Sequence, residues 1–255
     1  MKPALSILGV PIHDVDFEET CAQVAAWLAA PGAHQIATVN PEFIMTARRN
    51  PAFAATLRRA DLNVPDGVGV LWAARSLGHP LRERVGGADL MLRLCERAAG
   101  AGWRVYLLGA GEGVATRAGE ILAERYPGLI ICGSHAGSPA DDAASDITAR
   151  IRADRPNLLF VAYGAPAQDL WLSRHLGECL VRVDAAPGLV GMGVGASFDY
   201  LAGVQKRAPA WMQTAGLEWL YRLLRQPWRL RRQMALPRFA ALVMLESLRG
   251  ARRTP

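Results

Sequence analysis

The chain is poor in cysteine, and what it has is unpaired. Cys21, Cys95, Cys132 and Cys179 stand singly along 255 residues. That scatter excludes a disulfide framework, a thiolate metal cage and a Cys-x-x-Cys redox motif. It fits reduced thiols used as small core residues in a reducing cytoplasm. Histidine is as sparse, five residues with no H-E-x-x-H pattern, so no metal is expected. No apolar run approaches the roughly 18 residues that read as a membrane span. The first residues, MKPALSILGVPIHDVD, turn polar too soon for a signal peptide. Internal repeats and low-complexity segments are absent as well, which leaves an ordinary globular chain.

About half the residues are apolar, enough for a full core without covalent staples. Charge is unevenly placed. Residues 205–255 hold one lysine and ten arginines against two glutamates, a net of +9, so residues 1–204 carry −3 of the chain's +6. A slightly acidic body with a basic tail is a partner-binding pattern. The tail interleaves Trp211, Leu217, Trp219, Leu220 and Leu223 with Arg207, Arg222, Arg225, Arg229, Arg231 and Arg232. Helices with arginine on one side and tryptophan and leucine on the other suit an anionic membrane surface. Alternatively, the apolar side packs on the body and the arginines are solvated. No nucleic-acid reading motif accompanies the basic residues. An apolar tail left undocked would favour homo-oligomers.

Short runs rich in β-branched residues alternate with helical patterns of 10 to 15 residues as far as Gly203. This predicts an α/β fold, Rossmann-like, with a mostly parallel sheet and helices on both faces. Beyond it only helical patterns follow, split at Pro227. The expected division is a catalytic domain over 1–203 and a basic amphipathic helical appendage over 204–255.

In such folds, ligands sit in the crevice at the carboxyl ends of the strands. Two predicted strand ends stand out: Thr38-Val39-Asn40-Pro41 and Asn63-Val64-Pro65-Asp66-Gly67. Asp66 has two readings, a general base in the crevice or the N-cap of the helix that follows. Thr38, Asn40 and Gln168 could hydrogen-bond a sugar there, or serve as caps and turn residues. Gly109-Ala110-Gly111-Glu112-Gly113 follows a strand and opens a helix, so its N–H groups could cradle a phosphate, or it is a tight turn. Its sixth position is Val114, and no acidic residue ends the next strand, so it misses the dinucleotide fingerprint; no cofactor is expected. Gly164 ends another strand. Gly193-Val194-Gly195-Ala196-Ser197 lacks the second glycine of a nucleophile elbow, which excludes a serine hydrolase. Asp199 could hold a ribose or act as a cap. Asp14-Val15-Asp16 has the form of a cation-binding D-x-D, but Asp16 with Glu19 makes a capping box that accounts for it locally.

These residues fall in motifs of one known family. T-V-N-P-E-F (38–43), P-D-G-V-G-V (65–70), R-V-G-G-A-D-L (84–90), L-L-G-A-G (107–111) and Y-G-A-P-A-Q-D-L-W (163–171) occur in order. They continue with G-V-G-A-S-F-D-Y-L-A-G (193–203) and G-L-E-W-L-Y-R-L (216–223). The chain thus resembles the WecG/TagA/CpsF glycosyltransferases, glycosyltransferase family 26, along nearly its whole length. The resemblance implies metal-independent, inverting transfer of a sugar from a UDP-sugar to a polyprenyl-diphosphate-linked saccharide, on the inner face of the cytoplasmic membrane. The donor sugar would be N-acetylmannosamine, its uronic acid, or glucose. It implies that Asp66 is the base and that Thr38 and Gln168 are catalytic-site residues. Tail arginines, among them Arg207, Arg222, Arg229 and Arg232, would close over the donor diphosphate, with Arg84 a further candidate. The alternatives outside this family are a Rossmann-type oxidoreductase and a non-catalytic membrane-surface scaffold.

Overall fold

A computed structural model describes residues 1–181, 187–209, 211–212, 218–225 and 234–251. The chain opens with a hairpin, β1 (Leu5–Ile7) paired antiparallel with β2 (Val10–Ile12). Helix α1 (Phe17–Leu28) follows. It starts on the expected capping box: the Asp16 carboxylate accepts the Glu19 N–H at 2.8 Å, and the Glu19 carboxylate accepts the Asp16 N–H.

Among the described residues, six strands form the main sheet. In chain order they are β3 (Ala33–Val39), β4 (Leu62–Pro65), β5 (Arg104–Gly109), β6 (Ile130–His135), β7 (Leu158–Ala162) and β8 (Leu189–Gly193). In space they run β4-β3-β8-β7-β5-β6, and every pairing is parallel. The connecting helices are α2 (Pro41–Ala47), α3 (Pro51–Arg59), α4 (Val68–Ser76), α5 (Gly87–Ala101), α6 (Val114–Arg125), α7 (Ala144–Asp154), α8 (Ala167–Cys179) and α9 (Ser197–Leu201). Pro41 and Pro51 open α2 and α3 in the first turn, where a missing N–H costs nothing. The expected α/β architecture is therefore present. A further strand, which the sequence suggests over 180–184, falls mostly outside the described residues.

Both faces of the sheet are covered, which is why its strands are nearly all apolar. Val105 and Leu107 of β5 join one cluster with residues of α1, α5 and α6, while Tyr106 and Leu108 join another with residues of α7 and α8. Cys21, Cys95 and Cys179 are buried free thiols, and Cys132 is half-buried. The helices after β7 and β8 leave to opposite faces: Trp171 of α8 packs with Leu159 and Val161, and Phe198 of α9 packs with Leu158 and Phe160. The diverging connections open a crevice at the carboxyl ends of β3, β7 and β8.

Two tail helices are described, α10 (Glu218–Arg225) and α11 (Ala235–Ala251). Helix α11 lies on the body, where Phe239 (2 % exposed) and Val243 (0 %) join the cluster of Phe43, Ile44 and Phe53. It is also tied by hydrogen bonds. The Leu8 N–H donates to Glu246 Oε2 at 3.1 Å, and Ser247 Oγ donates to the Ser76 carbonyl at 2.7 Å. Helix α11 is thus packed on residues that precede position 204. On α10, Trp219 and Leu224 are exposed, as is Trp211 before it.

Candidate active site

Asp66 lies immediately after β4, and its N–H donates to the Val39 carbonyl at 2.8 Å, which locks this strand end to the end of β3. Its side chain does not cap the next helix. The N-cap of α4 is Gly67, and no side chain bonds there. The carboxylate turns instead toward the start of α5, where Oδ2 accepts the Gly87 N–H at 3.3 Å. The Arg84 guanidinium lies 3.8 Å from Oδ1. A helix N-terminus and a guanidinium both suit negative charge. The side chain is 27 % exposed, so it is accessible from the crevice.

Thr38 sits one strand away, at the end of β3, and packs against the same helix start. A Cβ on Gly87 would fall 3.0 Å from Thr38 Cγ2 and 3.1 Å from Oγ1. The glycine lets α5 approach closely enough for its first N–H to reach Asp66. Gln168 is placed in the same manner from the far wall. Its Oε1 accepts the Gly195 N–H at 3.0 Å. Its side chain crosses Gly193 so closely that a Cβ there would lie 2.4 Å from Nε2. Asn40 acts as a cap, its Oδ1 accepting the Phe43 N–H at the start of α2 at 3.0 Å, and it also lines the crevice.

The crevice is a cleft of about 330 Å³ that brings together Thr38, Asn40, Asp66, Gly164, Gln168, Gly193, Gly195 and Asp199. Its lining is rich in carboxylates, amides, hydroxyls and glycine backbone, the chemistry that fits a polar, hydroxyl-bearing ligand. Asp199 Oδ2 accepts from Gln205 Nε2 at 3.2 Å, and burial pushes its carboxyl above the usual range. Gly109 and Gly111 are not part of the lining. Gly109 is folded tightly on β7, in register with Ala162 and with a Cβ position 2.8 Å from its backbone, and the next N–H, of Ala110, donates to the Ala162 carbonyl at 3.1 Å. The loop they begin ends at Gly113, the N-cap of α6.

Arg84 stands beside the cleft rather than in its lining. It links Asp66 to Asp89 (3.6 Å), and Asp89 in turn holds Arg207 at 2.8 Å. The first tail arginine is thus fixed to the start of α5. The side chain of Arg222 and all of Arg229 and Arg232 lie outside the described residues. Asp14 and Asp16 stand away from the cleft. Both oxygens of Asp14 accept from Arg82, at 2.9 and 3.2 Å, and Asp16 serves the cap of α1.

Several lining residues were not singled out from the sequence: Glu42, Thr46, Gly87, Tyr163, Tyr200 and Gln205. Glu42 and Thr46 lie four residues apart on α2, one face of a helix, so the position of Asn40 at its cap was the available signal. Nothing local marks Gln205, which arrives from beyond α9.

A family profile described as the glycosyl transferase WecG/TagA/CpsF family matches residues 5–253. The chain belongs to that family. Three relatives share the name N-acetylglucosaminyldiphosphoundecaprenol N-acetyl-beta-D-mannosaminyltransferase. The Bacillus spizizenii protein is 36 % identical over 82 % of this chain and 78 % of its own length. The Bacillus subtilis protein is 33 % identical over 83 % and 79 %. The Staphylococcus aureus protein is 30 % identical over 92 % and 90 %. In this member of the WecG/TagA/CpsF family, a glycosyltransferase, the P-D-G and A-Q-D motifs face each other across one cleft.

Proposed function

We propose that the chain transfers a sugar of the N-acetylmannosamine type, or its uronic acid or glucose, from a UDP-linked donor to a polyprenyl-diphosphate-linked saccharide. The transfer is inverting and needs no metal. One observation carries the reading: the Asp66 carboxylate leaves its own helix uncapped and faces a polar cleft, within reach of an incoming hydroxyl. The names of the relatives support the choice of sugar and acceptor.

In the proposed step an acceptor hydroxyl oxygen attacks the donor's anomeric carbon from the face opposite UDP. The new C–O bond forms as the bond to the diphosphate oxygen breaks. The hydroxyl proton passes to Asp66, and the electron pair leaves with UDP. General-base help of this kind contributes roughly 10²- to 10⁴-fold. The Gly87 N–H and Arg84 hold the carboxylate in place for this role, and Thr38 and Gln168 orient sugar hydroxyls. Asp199 is the proposed ribose contact. Negative charge growing on UDP calls for preorganised cations and N–H groups. Arg207, Arg222, Arg229 and Arg232 are the proposed cations, because a guanidinium pairs bidentately with phosphate oxygens. Gly193 and Gly195 are closer candidates for backbone contacts than Gly109 and Gly111, which stand outside the cleft.

No described helix is long and apolar enough to cross a membrane. We place the protein peripherally on the inner face of the cytoplasmic membrane, where a lipid-linked acceptor would be met. Exposed Trp211, Trp219 and Leu224 among tail arginines support that placement.

The deciding experiment incubates the protein with a panel of UDP-sugars and N-acetylglucosaminyl-diphosphoundecaprenol, then identifies the product by mass. Failure to form a product with any donor sinks the proposal. Turnover should survive a chelator; loss restored by Mg²⁺ would return Asp14 and Asp16 to consideration.

A further inference from the structure

A second cavity, of about 540 Å³, lies between α2 and α11. It adjoins the cleft, because Glu42 and Thr46 line both. Its apolar part is Met45, Met234 and Ala235; Arg49, from the end of α2, and Arg238, from α11, also line it. Glu42, Thr46 and Arg49 recur at i, i+4 and i+7, a row leading outward from the cleft. Arg49 follows the C-cap of α2, where its N–H donates to the Thr46 carbonyl at 3.0 Å. Arg238 is held by its neighbour Phe239, which is buried against α2. Among the described residues neither guanidinium has an ion-pair partner, whereas Arg82, Arg84, Arg93, Arg97, Arg117, Arg174 and Arg207 all do.

We propose that this groove binds the diphosphate and the first isoprene units of a lipid-linked substrate, with Arg49 and Arg238 on the phosphates. An apolar floor beside two unpaired guanidiniums matches an apolar chain joined to a diphosphate, and arginine forks fit phosphate oxygens. The cavity lies in the size range of small-molecule sites. Its continuity with the cleft sets the order along one ligand: isoprene over Met45 and Met234, diphosphate at the arginines, saccharide past Thr46 toward Asp66. The saccharide's use as acceptor rests on the proposed function; binding of the isoprenyl diphosphate does not.

The test titrates full-length protein with geranylgeranyl diphosphate, below the concentration at which it forms micelles, by calorimetry. Geranylgeraniol and inorganic pyrophosphate serve as the two halves. Wild type should bind the whole molecule more tightly than either half. Arg49→Ser/Arg238→Ser should weaken it at least 10-fold with an unchanged melting curve. Met234→Glu should weaken geranylgeranyl diphosphate but not pyrophosphate. No binding by wild type, or equal binding by the double variant, overturns the proposal. In transfer assays the double variant should raise the KM for the lipid-linked acceptor at least 10-fold and leave that for the UDP-sugar unchanged. An unchanged acceptor KM overturns the groove and leaves the catalytic reading intact. Arginine-dependent binding without any sugar transfer does the reverse.

Discussion

Asp66 and Asp169 are both aspartates near strand ends that bound the same cleft, and they face opposite chemical situations. Asp66 is part-exposed, with a helix N–H and a guanidinium directed at it. Asp169, next to Gln168 on α8, is completely buried, and neither of its carboxylate oxygens has a hydrogen-bond partner among the described residues. Its main-chain carbonyl accepts from Gln35 Nε2 at 3.0 Å, so the backbone is satisfied while the side chain is not. Burial pushes its carboxyl up to about 7. One carboxylate is open to the cleft, and the other is kept from water inside the scaffold. Exposure and donors, not residue type, separate the two.

The largest effect expected from breaking this contrast is at Asp66. Asp66→Asn should lower kcat about 10²- to 10⁴-fold, with a melting temperature close to wild type, in steady-state assays and calorimetry. Near wild-type turnover would remove Asp66 from the base role.

Next is Gly193→Ala. The added methyl meets Gln168 from Nε2 to Cγ, so the amide must leave Gly195. Misplacement of about 1 Å at a reacting centre can cost roughly 10²-fold. A drop of that order is expected in kcat/KM for the transfer reaction, and none would free Gln168 from a positioning role.

Asp169→Asn should act on stability rather than turnover. The folded carboxyl titrates near 7 and the ordinary value is 3.8. Between those values the folded state keeps a proton that the unfolded state has lost, so wild type loses stability as pH rises from about 4 to 7. Asparagine has no such proton. The variant's stability relative to wild type should therefore rise across that window and level off above it. The change is on the order of a few kcal/mol at most. Urea melts at pH 4.5 and 7.5 would read it, and parallel curves for the two proteins would contradict the buried-acid assignment.

The smallest expected effect in turnover is at the tail's exposed face. Trp219→Asp/Leu224→Asp should reduce sedimentation with anionic vesicles while leaving transfer to a detergent-solubilised acceptor within a few-fold of wild type. This is a cleaner test than truncation after Gly203, which would also strip Phe239 and Val243 from the core. Loss of Phe239 alone costs about 3–5 kcal/mol by the usual measure of buried Phe→Ala.

Much of the fold was legible because local chemistry and tertiary structure agree. The alternation of apolar runs and helical patterns matches the parallel sheet. Asp16 with Glu19, Asn40 before Pro41, and Asn50 before Pro51 each mark a helix start through bonds made within four residues. The site was legible in part. Asp66, Thr38 and Gln168 were picked out at strand ends or helix starts, and they line one cleft. Gly109 and Gly193 looked alike as glycine after a strand, yet only Gly193 reaches the cleft. β8 lies beside β3 in the sheet and β5 lies two strands further out, an order that no local pattern encodes. The groove at Arg49 and Arg238 joins residues nearly 190 positions apart in sequence, and neither has a local signature.

By itself the sequence determined the layers, the strand-end placement of Asp66, the helix caps and the family, since all of these rest on periodicity, short-range bonds or ordered motifs. Only the tertiary structure decided which way the Asp66 carboxylate turns. It also decided which glycine loop meets Gln168, and that α11 returns to roof a second cavity. Those choices depend on strand order and on contacts between segments far apart in the chain. Their energies come from close packing, such as Thr38 on Gly87, rather than from any propensity of the residues themselves.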